Sequence, residues 1–365
     1  MRPYKIDIKF IDTSDWQELH WYNSGGTRAK KVLQNPSGDE FYFKCSEKKP
    51  AKDGKPEKHY KYEFWNEIIA YQLGKYLGLD VLRYDVAVFD GEIGCVSPKM
   101  TVTDEEQLIE IGRFMTAINP DFLPENYKTR TKYTFQLLTD TLDYFKLTQY
   151  LPFFFQTLLF DAIIGNTDRH QENWAFIGKT TLITTALAQV EQDVKAKGFK
   201  KLPWLIKLLY RSIIDKKKDE LTQDGNIYKL INTKVAKTAP IYDSGSSLAR
   251  ELTNERVDVL LQNEDELKRY FENGKSELHW ESKKLTHYEL IKELLNSSYS
   301  EDVINAKKFL QKWDQDLIKD ILTQIDVQVP KKWEDYRIPE NRKKLILKLL
   351  TLRYDKLSQL LNDGI

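Results

Sequence analysis

The chain has 365 residues, 41% hydrophobic and 12% aromatic, enough for two domains or one large two-lobed unit with a sizeable core. Its 56 Lys and Arg against 55 Asp and Glu leave a net charge of +1, which argues against a whole-surface nucleic-acid binder and leaves room only for a local basic patch. Two cysteines (Cys45 and Cys95), a start "MRPYKIDIKF" without a signal-peptide core, and no apolar run near about 18 residues argue against a disulfide scaffold, a secretion leader and a membrane span; the expected setting is a reducing cytoplasm.

In chain order, residues 1–102 predict a β-rich region with one helix. "YKIDIKFI" alternates as a half-buried strand does, and "EFYFKCS" sets Phe41, Phe43 and Cys45 on one face against Tyr42 and Lys44 on the other. Between them lies a glycine turn, "SGGTRAKK", whose Gly25 and Gly26 allow close approach of backbone N–H groups to a phosphate. "EKKPAKDGKPEKHYK" predicts a solvated loop. "EFWNEIIAYQLGKYLGLD" has helical spacing through Trp65, Ile68, Ile69, Leu73 and Tyr76 and a C-terminal stop at Gly78. "VLRYDVAVFDGEIGCVSPKM" predicts two strands around Asp90-Gly91.

Residues 103–365 predict a mainly helical region. Its strand-like exceptions are short: "NWAFI", Asn173 to Ile177, and "APIYD", Ala239 to Asp243. An insertion at about 179–232 predicts two helices, "TLITTALAQVEQDVKAKG" and "LPWLIKLLYRSIIDKKKDE". From Lys179 to Glu220 it holds ten Lys and Arg and five Asp and Glu, a local net of +5. It reads either as a structural insertion with a solvated basic face or as a docking surface for an acidic partner.

The apolar run "LPFFFQTLLFDAII" leads directly into "GNTDRHQENW", Gly165 to Trp174. Loops anchored on rigid elements are where chemistry concentrates. Asp168 and Asn173 are five residues apart, the spacing of the catalytic loop in protein kinases, where the Asp accepts the proton of the substrate hydroxyl and the Asn binds Mg2+. The bland alternative is a polar turn that satisfies its own backbone. A later strand-end carboxylate, Asp243 in "APIYDSGSS", supplies the second metal ligand such a site needs. ATP chemistry also needs a cation on the phosphates and a carboxylate to hold that cation. Lys44 in mid-strand is the candidate cation, and a solvated edge-strand lysine is its alternative. Glu67 is the candidate carboxylate, with Glu63 one turn earlier as its rival. His170 either structures the loop or acts as a base. The order of parts favours phosphoryl transfer: glycine turn, strand Lys, helix Glu, Asp-to-Asn loop, strand-end Asp.

"NEIIAYQLGKYLGLDV", "IIGNTDRHQENWAF", "APIYDSGSSL" and "NRKKLILKLLTLRYDKLSQLL" together resemble the HipA-like kinase family, and within it the CtkA-type bacterial serine/threonine kinases. The resemblance runs along nearly the whole chain. It implies an α+β, two-lobed kinase-like fold: an N-lobe at 1–102 with an αC-like helix, and a larger, mainly α C-lobe at 103–365. It implies Asp168 as catalytic Asp with His170 in the same loop, Asn173 and Asp243 on Mg2+, Lys44 on the phosphates of ATP, and a protein as acceptor. A phosphoinositide-like lipid kinase, a small-molecule kinase and a silent pseudokinase remain as alternatives. HipA toxins carry an extra N-terminal subdomain, and this chain begins almost at the kinase core, so a HipA-type antitoxin partnership is not expected. In HipA-type relatives, phosphorylation of a serine in the glycine loop ejects the loop; the resemblance makes Ser24 and Thr27 the corresponding hydroxyls.

Overall fold

The computed structural model describes residues 4–20, 30–49, 57–103, 105–124, 126–186, 222–223 and 226–363. The glycine turn, with Ser24, Gly25, Gly26 and Thr27, lies outside them, as do residues 187–221 of the insertion.

The N-terminal part is a six-stranded sheet. Its strands are β1 (Phe10–Asp12), β2 (Gln17–Glu18), β3 (Lys31–Gln34), β4 (Glu40–Cys45), β7 (Asp85–Phe89) and β8 (Glu92–Pro98), in the order β1-β7-β8-β4-β3-β2. The short strands β5 (Lys48–Lys49) and β6 (Lys58–His59) pair with each other inside the stretch expected to be a solvated loop. The hairpin β7–β8 turns at Asp90 and Gly91, both with positive φ (51° and 75°), the backbone that an Asp-Gly pair accepts. "YKIDIKFI" is corrected: ladder pairing starts at Phe10, parallel to β7, and Lys9 precedes it with its N–H on Asp85 Oδ1 at 2.9 Å. One face of the sheet packs Leu33, Phe43, Ala87 and Val96, with Phe41 against them, as the alternation of β4 requires; Cys45, expected with them, is exposed. Lys44 therefore points to the other face. Gly94 lies opposite Cys45 in the ladder, and a Cβ there would stand 2.1 Å from the Lys44 carbonyl oxygen, so the close approach of β8 to β4 depends on glycine.

Helix α1 (Glu63–Leu77) ends at Gly78 in the left-handed region (φ 85°). It is buried nearly all round, including the polar Glu63, Asn66, Glu67 and Gln72. Buried polar groups need partners: Gln72 meets the Tyr4 hydroxyl and the Asp7 carbonyl, and Asn66 and Glu67 find theirs in the segment after Tyr242, which builds the site.

The helical part begins with α2 (Ile111–Ile118), α3 (Phe135–Tyr144) and α4 (Leu151–Ile164). Helix α4 is apolar all round and forms the centre of this region, contacting helices α7 (His287–Leu295), α8 (Ser300–Ala306) and α10 (Glu340–Asp363). Helices α5 (Asn254–Gln262), α6 (Glu264–Glu272) and α9 (Gln315–Gln324) complete the set named here. Leu260, Leu267, Leu345 and Leu349 lock α5, α6 and α10 together.

By its contacts the chain divides into two units. One comprises residues 1–100, 110–175 and 238–365, and the other 101–109 and 176–237. The second contains most of a four-stranded sheet of β9 (Glu106–Glu110), β10 (Ala175–Ala186), β11 (Thr222–Gln223) and β12 (Asn226–Thr238), in the order β11-β12-β10-β9. This corrects the expectation of a helical insertion at 179–232 where it is described: residues 179–186 and 226–232 are strand, and the second expected helix, "LPWLIKLLYRSIIDKKKDE", lies outside the described residues. "TTLITT" is rich in β-branched residues, which pack poorly in helices and well in sheets, and that local preference outweighs the apolar spacing read as helical. The expected strand "APIYD" is only a single parallel bridge, Ile241 to Val81.

Candidate active site

The site is built in the first unit, around the C-terminal end of α4. Asp161 is the one charged residue in that helix, in an otherwise apolar run. An ionised carboxylate at 1% exposure is tolerated only if paired. Its partner is Arg169, 2% exposed, whose Nε and Nη2 reach Asp161 Oδ2 and Oδ1, each at 2.9 Å. Burial disfavours the guanidinium charge, but the adjoining Asp161 carboxylate outweighs it and raises the pKa of Arg169 above its ordinary value. Asn166 adds a bond from Nδ2 to Asp161 Oδ1 at 3.1 Å and accepts the Asp168 N–H at 3.2 Å. Gly165 makes the turn possible: it closes α4 with φ 67°, and a Cβ there would meet the Arg353 guanidinium carbon at 2.3 Å.

Arg169 also ties this loop to the later segment. Its Nη1 donates to the Tyr242 carbonyl and, at 3.5 Å, to that of Asn173, and its Nη2 reaches Ser244 Oγ at 3.2 Å. Tyr242 returns a bond from its hydroxyl to the Glu172 carbonyl at 2.5 Å. Asp168, Asn173 and Asp243, separated in sequence, are thereby held by one buried cation and its neighbours. Asp243 itself sits at φ 57°, a left-handed backbone that Asp accepts at some cost.

Lys44 reaches from β4 to two carboxylates. Its Nζ is 2.6 Å from Glu67 Oε1 and also bonds Asp243 Oδ1. Burial opposes the ammonium charge, yet Asp243 and Glu67 outweigh burial and hold the Lys44 pKa well above its ordinary value. Glu67 is thus the helix carboxylate that meets Lys44, and its Oε2 accepts the Ser244 N–H at 2.8 Å. Glu63 faces elsewhere, accepting from Arg250 at 2.7 Å and from the Glu47 N–H at 2.9 Å. Asn66 donates to the carbonyls of Gly245 (3.2 Å) and Ser247 (2.6 Å), fixing the backbone after Asp243.

Within the loop, Asn173 Nδ2 donates to the Asp168 carbonyl at 2.8 Å, which directs its Oδ1 the other way. His170 is engaged with its own turn: its N–H reaches the Asp168 carbonyl at 2.9 Å and its Nδ1 accepts from the Glu172 N–H at 3.3 Å. Ser246 Oγ donates to Asp168 Oδ2 at 3.2 Å. Among the described residues no group of three or more His, Cys, Asp or Glu is placed to hold a metal by protein ligands alone. The oxygen donors of Asn173 and Asp243 fit Mg2+, which takes one or two protein ligands and completes its shell with phosphate and water.

Sequence reasoning brought forward Lys44, Glu67, Asp168, His170, Asn173 and Asp243. It missed Asp161, Arg169, Asn66 and Ser246. A signal existed for the first: a lone Asp inside "FFFQTLLFDAII" has to pair with something.

No family model matches the chain, and no curated protein matches it in sequence. In structure it is similar to the Helicobacter pylori proinflammatory kinase CtkA, at 18% identity, over 98% of each chain, with a TM-score of 0.64. A fainter likeness, to the HipA protein of a Shewanella oneidensis MR-1 toxin–antitoxin system solved with HipB and operator DNA, has 9% identity and a TM-score of 0.38 over 88% of this chain and 57% of that one. The fold that the motifs led one to expect is the fold observed: an α+β chain with a β-rich N-terminal part and a helical C-terminal part, sharing the CtkA kinase-like architecture from end to end.

Proposed function

We propose that this chain is an ATP- and Mg2+-dependent kinase that transfers the γ-phosphoryl group to Ser or Thr hydroxyls of a protein. The observation that carries the reading is the Lys44 ammonium held between Glu67 and Asp243, on a scaffold tied to the Asp168–Asn173 loop. The likeness of the fold to the CtkA kinase supports it.

Each residue then has a task. Lys44, oriented by Glu67, neutralises phosphate charge. Asp243 and Asn173 hold Mg2+, which when bound offsets the charge of the phosphates. Asp168 takes the proton of the attacking hydroxyl, the general-base role that a carboxylate within hydrogen-bond reach performs. His170 shapes the loop that presents Asp168. Gly25 and Gly26, outside the described residues, are proposed to cover the phosphates. The acceptor is proposed to be protein and the setting cytoplasmic; among the described residues no helix is long and apolar enough to cross a membrane.

Incubation with radiolabelled ATP, Mg2+ and separate protein and lipid-vesicle acceptors tests this. Label on protein supports the reading, label on lipid alone moves the acceptor class, and label nowhere refutes turnover.

A further inference from the structure

The left-handed backbone of Asp243 (φ 57°) persists only if its surroundings impose it. The direction of a side chain follows from the two peptide planes that flank its Cα, and three groups grip those planes here. The carbonyl of the Tyr242–Asp243 peptide accepts from Arg169 Nη1, and the N–H of the same peptide donates to the Tyr84 hydroxyl oxygen at 3.4 Å. The N–H of the next peptide, that of Ser244, donates to Glu67 Oε2 at 2.8 Å. Tyr84 is brought there by a meeting of the same two segments. Val81 and Ile241 form a parallel bridge, with the Leu82 N–H on the Ile241 carbonyl at 2.9 Å and the Ile241 N–H on the Asp80 carbonyl at 2.8 Å, so the residues that follow run side by side. Tyr84 is 5% exposed. Burial first, and then the charge of Glu67, hold its phenol well above the ordinary pKa, so the oxygen keeps its proton and stays a neutral acceptor for the amide. Phenylalanine would fill the same space without a buried polar group to satisfy, so the hydroxyl needs a reason beyond packing.

We propose that Tyr84 is a positioning residue for phosphoryl transfer: its hydroxyl holds the Asp243 amide and thereby aims the Asp243 carboxylate at Lys44 and at the Mg2+ site. The inference rests on the kinase reading above. Arg169 grips the carbonyl end of the Tyr242–Asp243 peptide and Tyr84 the N–H end, so the plane cannot rotate about the bond that sets φ of Asp243. Without the hydroxyl one end is free. A non-glycine residue then relaxes out of the left-handed region, where its Cβ is crowded, and carries Oδ1 away from Lys44. Tyr84 touches neither nucleotide nor acceptor in this scheme; it acts through Asp243.

The test uses the full chain and its Tyr84→Phe variant, which keeps the ring and removes only the hydroxyl. Tyr71→Phe is the control, since Tyr71 on α1 is buried to the same degree, 6% exposed against 5%. Mg2+ is titrated at fixed ATP, with binding followed by calorimetry, transfer to dephosphorylated casein by γ-label, and folding by urea. Expected for Tyr84→Phe are a half-saturating Mg2+ concentration about three- to tenfold higher, the worth of one hydrogen bond, and a transfer rate at saturating Mg2+ about tenfold lower, with the urea midpoint held. Tyr71→Phe should match wild type in all three readouts. A Tyr84→Phe chain with wild-type Mg2+ dependence and rate overturns the inference and leaves the kinase reading standing. Equal losses in Tyr71→Phe, or a Tyr84→Phe chain that is unfolded, overturn it too, because the hydroxyl then serves packing and not Asp243. A wild type that neither binds Mg2+–ATP nor transfers phosphate overturns both.

Discussion

Arg169→Met is the most informative single change, because it removes a charge while keeping most of the length and apolar volume of the side chain. Asp161 would remain at 1% exposure with its partner gone. With both contacts at 2.9 Å the charge centres lie about 4 Å apart, and at an effective dielectric near 20 their attraction is about 4 kcal/mol. Breaking a buried pair from one side typically costs about 3–5 kcal/mol, the same range. That is a large part of the roughly 5–15 kcal/mol by which domains are stable. The change also removes the donor to the Tyr242 carbonyl and Ser244 Oγ, so Asp243 loses its tie to the Asp168 loop. A misplacement of about 1 Å costs about 100-fold in rate. The double variant Asp161→Leu with Arg169→Met leaves no orphan charge and should recover most of the stability. It should not recover the rate, since the buried bonds from Arg169 to the Tyr242 carbonyl and Ser244 are gone and only the bonds of Tyr242 to the Glu172 carbonyl and of Ser246 to Asp168 still join the two segments. Urea unfolding and steady-state transfer to casein measure the two effects separately. If Arg169→Met unfolds within about 1 kcal/mol of wild type and transfers phosphate at the wild-type rate, the tie between the segments is not what organises the site.

Asp168→Asn is nearly isosteric and should abolish transfer while ATP binding, followed by calorimetry, survives; wild-type turnover would remove the base assignment. Asp243→Ala should weaken Mg2+–ATP binding and transfer together, and unchanged Mg2+ dependence would count against its role. Burial of His287 against α4 lowers its pKa from 6.5 to about 4, so the folded chain binds fewer protons than the unfolded one between these values. Stability should then fall as pH drops from 6.5 to 4, by about 3 kcal/mol in total, and His287→Leu should flatten that window; an unchanged slope of unfolding free energy against pH would sink the point. Gly165→Ala puts a side chain into a left-handed backbone and against Arg353, which itself donates to the Ile164 carbonyl at 3.0 Å. It should cost about 2 kcal/mol or more, and a loss under about 0.5 kcal/mol in urea unfolding would contradict the packing described.

Much of this chain was legible before folding because its signals are local. The alternation of β4, the Asp90-Gly91 turn, the Gly78 stop and the apolar face of α1 each depend on neighbours a few residues away, and each reappears in the structure. The Asp168-to-Asn173 spacing was legible for the same reason, since one loop sets it. The sheet of β9, β10, β11 and β12 was not. Its pairing joins residues near 106 to residues near 175 and 226, and no local pattern encodes which distant strand completes a ladder. Nor could spacing choose between Glu63 and Glu67. They share a face of α1, and the choice is made by Arg250 and the Glu47 N–H, which occupy Glu63 and leave Glu67 to Lys44. Sequence alone determined which chemical groups this protein carries and the order in which it carries them. Tertiary structure decided which of them meet, because a buried charge such as Asp161 takes whichever partner the packing brings within reach, and here that partner, Arg169, joins the Asp168 loop to Asp243's segment.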